Sequence, residues 1–246
     1  MEAIILAAGK GSRISKAINK NKCLIKVSNK TLIDRIIYNL RRYNIEKIFV
    51  LIGFNQNKIK QKLKNKSVNF IYNKDYFKTE MLDTLILGLK CCQEDVIITY
   101  SDIIYDHKVI KQIYNFRKKK NNFLIPVLST WRKIWKIKSK DIFDDAETLK
   151  FSKKKELLEI GKKITNINEV MAQYMGIIYI PHKKIKYFIS QYNKLKNKKI
   201  HLTKFINILI KKKQVFKCIK TNHHWYEFDD YIDILNYKKN FRKNVS

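Results

Sequence analysis

Glycine and proline are scarce in this chain of 246 residues. Gly 6 and Pro 2 exclude collagenous, elastic and loop-dominated architectures and make each glycine informative about the backbone. Cysteine is scarce too: Cys23, Cys91, Cys92 and Cys218 form no CxxC pair and no metal-ligand spacing, which argues against a zinc site or a disulfide framework. No run of about 18 apolar residues occurs, so no membrane-spanning helix is expected. The opening MEAIILAAGKG is too short and too glycine-broken for a signal peptide. The reading is a soluble protein of the cytoplasm. Acidic residues are few, with Asp+Glu 21 against Lys+Arg 53 and a net charge of +32.

What is present suits a folded enzyme. With 45% hydrophobic and 12% aromatic residues the chain has ample material for a core, despite its charge. Its length favours a single domain over residues 1–246, monomeric or homodimeric, with a first half to about residue 128 and a second from about 129. A basic surface attracts polyanions, so a nucleic-acid-binding protein is the alternative of another class. The excess is almost all Lys, spread end to end among many Asn and Ile residues. That distribution fits a codon-composition origin, and no specific nucleic-acid partner is expected. The basic run at 117–120 sits at an expected helix end, where the helix dipole favours cations.

Residues 3–8 form an apolar run stopped by Gly9, as a buried parallel strand does. Leu32, Ile33, Ile36, Ile37 and Leu40 recur at helical spacing behind Thr31, and 48–53 is another short apolar run ending in glycine. The alternation continues with a helix at 55–64, a strand at 68–72, a helix at 80–92 and a strand at 96–99. This pattern predicts an α/β, Rossmann-like, mostly parallel sheet with helices on both faces. From about Thr130 the pattern shortens around a charged turn at 153–155, predicting a β-hairpin excursion. A strand at 173–180, helices at 182–195 and 202–212, a strand at 216–220 and a closing helix at 230–239 complete the chain.

Ligands of an open parallel sheet collect beyond the carboxyl ends of its strands. Gly9, Lys10, Gly11, Ser12 and Arg13 follow the first strand there: glycines let the backbone approach a polyphosphate, and the two cations add charge. The loop is neither a Walker A motif nor the dinucleotide fingerprint, and an ordinary tight turn remains open. Asp102 ends the strand at 96–99, and Glu227, Asp229 and Asp230 follow Trp225. Carboxylates facing a triphosphate loop suit Mg2+, which takes one or two protein carboxylates beside substrate phosphates. Alternatively, Asp102 caps the next helix and Asp229 or Asp230 the last.

IILAAGKGSRI followed by KCLIKVSNKTLIDRIIYNL resembles the signature of the sugar-nucleotidyltransferase-like superfamily, with its nucleotide-diphospho-sugar transferase fold. YSDIIY, WRKIW, DDAETLKF, LLEIGKK, QYMGIIYI and WYEFDD extend the resemblance, toward the phosphocholine-type cytidylyltransferase branch. The resemblance implies a Mg2+-dependent nucleotidyltransferase that uses a nucleoside triphosphate, CTP favoured. The acceptor would be small and phosphorylated or phosphonylated, of the phosphocholine, phosphoglutamine or aminoethylphosphonate type. Pyrophosphate would leave, and the product would serve cell-surface polysaccharide. Uridylyl or guanylyl transfer to a sugar 1-phosphate is the neighbouring alternative. By position, Gly9, Gly11, Ser12 and Arg13 would hold the triphosphate, Lys22 would stand beside the α-phosphate, and Asp102 and Asp229 would bind the metal. Leu6, Ala7 and Ala8 would approach the base with Gly53, and Thr84 matches a hydroxyl position on the following helix. Arg13, Lys22, Asp102 and Asp229 would be the catalytic set. Asn21 stands where the motif usually has proline.

Acceptor recognition is expected from the second half. Trp131 and Trp135, four apart, share a helix face and could wall a pocket or cage an ammonium group, or simply pack. Asp144, Asp145 and Glu147 suit an ammonium group, Lys162 or Lys163 an acceptor phosphate, and Gln173, Tyr174 and Gly176 lead into a strand whose glycine permits close approach. His223 and His224, adjacent on a strand, point to opposite faces, so a supporting or solvent-facing place suits them better than joint metal ligation.

Overall fold

The computed structural model describes residues 1–11, 21–117, 121–138 and 141–241, without the side chains of Asp144 and Asp145. Its first half runs β1 (Glu2–Ala7), β2 (Lys26–Val27), β3 (Lys30–Thr31), α1 (Leu32–Arg41), β4 (Ile48–Ile52), α2 (Gln56–Leu63), β5 (Asn69–Tyr72), α3 (Met81–Leu89), β6 (Val96–Tyr100), β7 (Ile103–Tyr105), α4 (Lys108–Phe116) and β8 (Phe123–Leu128). There follow α5 (Trp131–Lys138), α6 (Ile142–Asp145), β9 (Glu147–Phe151), β10 (Leu157–Lys163), β11 (Gln173–Tyr174), β12 (Ile177–Ile180), α7 (His182–Asn193), α8 (Leu202–Lys211), β13 (Phe216–Thr221), β14 (Trp225–Glu227) and α9 (Tyr231–Asn240).

An 8-stranded sheet carries the fold in the order β11-β8-β12-β6-β1-β4-β5, with β13 pairing β8. β5, β4, β1, β6, β8 and β13 run one way, and β11 and β12 run against them, so the sheet is mostly parallel as the alternation predicts. β1 lies at its centre because both of its faces are apolar: all six residues are buried, and separate core clusters form on the two sides. Glu2 is the charged exception. It lies at the buried start of β1, accepts from the backbone N–H of Gln93 (2.7 Å) and pairs with Lys47 (2.6 Å).

The structure differs from the sequence reading in several places, among them the expected strand at 173–180, which divides into β11 on β8 and β12 on β6. Residues 131–138 form a helix before the hairpin, because Trp131, Ile134, Trp135 and Lys138 recur at helical spacing and are all buried. The hairpin itself is β9–β10, turning at 153–155 as expected. The interior strand β8 is absent from the sequence reading, and it carries Pro126, a residue unusual inside a sheet. The structure accommodates it where β8 changes neighbour on one side, from β12 at Leu124 to β11 at Val127.

Candidate active site

The carboxyl ends of β1, β4 and β6 open side by side, because each pairs in parallel register with its neighbour. The cavity at their tips, ≈ 230 Å³, is lined by Leu6, Ala7, Ala8, Gly9, Gly11, Asn21, Lys22, Thr84 and Asp102, with Tyr76, Thr79, Glu80 and Met81 closing the far side. Gly11 has a φ of +57°, and a Cβ there would meet the Lys22 side chain at 2.8 Å. A glycine is thus what lets Lys22 lie along the loop. Gly53 does not line the cavity but borders it: a Cβ would stand 2.6 Å from Cβ of Tyr76 and 2.7 Å from the Ala8 carbonyl. Ser12 and Arg13 lie outside the described residues.

A second cavity, ≈ 220 Å³, opens beside the hairpin and shares Tyr100 and Met81 with the first. Trp135, Lys138, Glu147, Gln173, Tyr174, Gly176, Trp225, Glu227 and Asp229 line it, with His201, Leu202 and Thr203 from the start of α8. Trp135, Glu147, Gln173, Tyr174 and Gly176 therefore converge as the sequence suggests. Trp131 does not line this cavity: it is 0% exposed and packs in the core. Lys163 is exposed at the end of β10 and stays outside the cavity, as does Lys162. The side chain of Asp145 falls outside the described part.

The two cavities meet at a cluster of charges. Lys22 Nζ stands 3.0 Å from Asp102 Oδ2 and 3.5 Å from Asp229 Oδ1. Lys138 Nζ holds the other Asp229 oxygen at 2.9 Å. What brings these distant residues together is the antiparallel ribbon β7–β14, in which Glu227 pairs with Ile103 and the Phe228 N–H donates to the Asp102 carbonyl at 3.0 Å. Asp102 therefore leads into a strand rather than capping a helix. Asp230 takes the capping role on α9, while buried Asp233 accepts from the backbone N–H groups of Asp229 (2.8 Å) and Asp230 (3.2 Å).

Burial disfavours the charge on Lys22, but Asp102 and Asp229 outweigh it and raise its pKa above the ordinary value. Lys138 behaves alike: burial opposes its charge, and Glu227, Asp229 and Asp233 hold it ionised well above the usual lysine range. Glu227 is pushed the other way, its pKa raised well above normal by burial and by repulsion from Asp229 and Asp102. Asp102, between β6 and β7, and Asp229, after β14, both within reach of one cation, form a hard oxygen donor pair. That is the donor chemistry Mg2+ takes beside substrate phosphates. Among the described residues no three His, Cys, Asp or Glu side chains form a complete metal cage.

Lys138 is a charged residue of the cluster that the sequence reading missed. Its signal was available: it falls seven after Trp131 and three after Trp135, a lysine on the apolar face of a helix. His223 and His224 stay outside both cavities. His224 Nε2 meets the Tyr237 hydroxyl at 2.8 Å, and the His223 N–H donates to Thr221 at 3.2 Å. No helix among the described residues is long and apolar enough to cross a membrane.

Known proteins share this architecture. The chain is 32% identical over 251 residues to the CTP:phosphoglutamine cytidylyltransferase of Campylobacter jejuni, covering 95% of this chain and 98% of that one. The structure of the inositol-1-phosphate CTP transferase from T. maritima superposes with a TM-score of 0.78 at 16% identity, covering 100% of this chain and 97% of that one. The CTP:phosphocholine cytidylyltransferase from Streptococcus pneumoniae gives a TM-score of 0.74 at 17% identity, covering 97% of each chain. Residues 3–166 match the MobA-like NTP transferase domain. On the strength of that match and of a relative aligned along nearly its whole length, the chain belongs to the MobA-like NTP transferase family and is a nucleotidyltransferase.

Proposed function

We propose that the protein is a cytidylyltransferase that moves CMP from CTP to a phosphate oxygen of a small acceptor. The observation that carries this reading is the pair of cavities joined at Tyr100 and Met81, with Lys22 bridging Asp102 of one and Asp229 of the other. The nature of the relatives supports CTP as donor and an amino-bearing phosphorylated acceptor of the phosphoglutamine type. An activated group of this kind would serve cell-surface polysaccharide, as the resemblance implies.

In the first cavity the Gly9–Gly11 backbone lies against the triphosphate, and Lys22 neutralises the α-phosphate. In the second, the acceptor phosphate approaches the charge cluster, where Lys138 keeps Asp229 oriented. Its cationic end lies among Glu147, Trp135 and Tyr174, since a carboxylate and aromatic faces both attract an ammonium group. The acceptor oxygen bonds to the α-phosphorus, the bond to the β-phosphate oxygen breaks, and pyrophosphate departs. The nucleophile is already ionised at neutral pH, so no residue serves as general base. Asp102 and Asp229 would hold Mg2+, which when bound supplies further positive charge to the transferring phosphoryl group.

Pyrophosphate release tests the reading, using CTP, UTP, GTP and ATP with Mg2+ against phosphoglutamine, phosphocholine, 2-aminoethylphosphonate and hexose 1-phosphates. Release with CTP and an amino-bearing acceptor is expected, falling about 10³-fold or more in Asp102→Ala. Turnover confined to UTP or GTP with hexose 1-phosphates would overturn it.

A further inference from the structure

A third cavity, ≈ 920 Å³, opens at the end of the ribbon β7–β14 far from Asp102 and Asp229, where the Asp106 N–H donates to the His224 carbonyl at 2.9 Å. It shares no lining residue with the two active-site cavities. Arg35, Tyr38, Asn39 and Arg42 line it from one face of α1, where their spacing places them together. Lys30 joins them from β3 and Lys108 from the start of α4. Asn39 Nδ2 donates to the Tyr105 carbonyl at 2.8 Å and ties the helix to the ribbon.

The charge here is one-sided. Lys30, Arg35, Arg42 and Lys108 line the cavity, and among the described residues none of the four forms a salt bridge with a carboxylate. Asp106 is the one acid of the lining, and it accepts from the Lys108 backbone N–H at 2.8 Å. The excess is felt at His107, whose pKa is lowered by burial and then by Arg42, Lys108 and Lys111, against Asp106. Both arginines are held in place. Half-buried Arg35 gives a terminal nitrogen to the Val27 carbonyl at 2.7 Å, and Arg42 donates to the Tyr38 hydroxyl at 3.1 Å and lies over its ring, as Lys30 does. A Lys-rich composition does not account for them, since 7 of the 53 basic residues are Arg. A half-buried guanidinium without a counter-ion is unfavourable, and its planar fork fits phosphate oxygens two at a time. Four cations against one acid leave a surplus of three charges, more than a single phosphate neutralises. We propose that this cavity is a binding site for a small solute carrying two phosphate groups, held by Arg35 and Arg42 with Lys30 and Lys108.

Fructose 1,6-bisphosphate is the probe, titrated without Mg2+ at about 0.15 M salt. The ring signals of His107 and His224, which both line the cavity, report binding locally by NMR. Both signals should move in wild type and equally in Lys22→Met, which keeps the site apart from the active site. Inorganic phosphate should bind about 10-fold more weakly, and Arg35→Gln/Arg42→Gln should weaken the bisphosphate about 10-fold or more. Because Arg35 also holds the Val27 carbonyl, Lys30→Gln/Arg42→Gln, at two exposed residues, is the second pair and should weaken it likewise. Lys64→Gln/Lys66→Gln removes the same charge just past α2 and should change binding by less than about twofold. Silent histidines, an equal loss in the Lys64/Lys66 pair, phosphate binding as tightly as bisphosphate, or movement with a short single-stranded RNA alone would each overturn the proposal.

Discussion

One wall of the strand-tip cavity is backbone and small side chains, Leu6, Ala7, Ala8, Gly9 and Gly11, from the end of the central strand β1 and the loop after it. The hairpin cavity is walled by large side chains, among them Trp135, Tyr174 and Trp225, drawn from α5, β11 and β14. The first is a property of where a strand stops, and many sequences can build it provided glycines stand at the close approaches. The second depends on which side chains several separate elements bring. One therefore suits a ligand common to a family, and the other a ligand peculiar to each member.

This contrast can be broken in four ways, the largest first. Lys22→Met removes the cation that bridges Asp102 of one cavity and Asp229 of the other, and kcat should fall about 10²–10³-fold with the CTP KM within a few-fold. An unchanged kcat in single-turnover measurements would refute the role. The tryptophans separate binding from packing. Trp135→Leu should raise the acceptor KM about 10-fold and leave CTP alone. Trp131→Leu, at a 0% exposed position, should instead cost about 2–4 kcal/mol in denaturant unfolding with both KM values unmoved.

Gly53→Ala places a methyl group 2.6 Å from Tyr76 and so should disturb the strand-tip cavity only. Its CTP KM should rise about 10-fold with the acceptor KM within about twofold, so equal changes in both would erase the distinction. The smallest effect lies away from both cavities. Burial would raise the Asp34 pKa, but Lys62 and Thr31 outweigh it and hold the carboxyl below 3.8. Asp34→Asn should cost about 1 kcal/mol through the α1 capping box. Because the folded pKa is depressed, that contribution is fully present above pH 3.8 and is lost as pH falls through the lower folded value. The melting temperatures of variant and wild type should then converge in acid.

The same contrast explains what could be read before the structure. Apolar runs ending at Gly9 and Gly53 announce two parallel strands and their tips from local pattern, whereas the roles of Leu6, Ala7, Ala8, Gly53 and Thr84 come only with the resemblance and the interior strand β8 escapes the reading. Asp102 and Asp229 are legible as carboxylates after strands and, by resemblance, as a pair. Their meeting is not, because it depends on β7 and β14, 3-residue strands too short to leave a periodic signal. Lys138 and Trp131 show the other limit. Both occupy one face of α5, yet one reaches the cavity and the other the core, a difference set by the elements packed against the helix rather than by spacing. Lys163 lies on a strand whose exposed end leaves it outside, which alternation over a hairpin does not reveal.

The ribbon β7–β14 also imposes an order in time. Lys22 and Asp229 are 207 residues apart, and their contact waits on a strand from the last part of the chain pairing with one from the middle. On a ribosome, β1, β4 and β6 can assemble long before β14 has emerged. A nascent chain would then offer a strand-tip cavity with Asp102 in place and Asp229 missing. Asp229 joins the charge cluster only once synthesis has passed β14, and a truncated or stalled product lacks it.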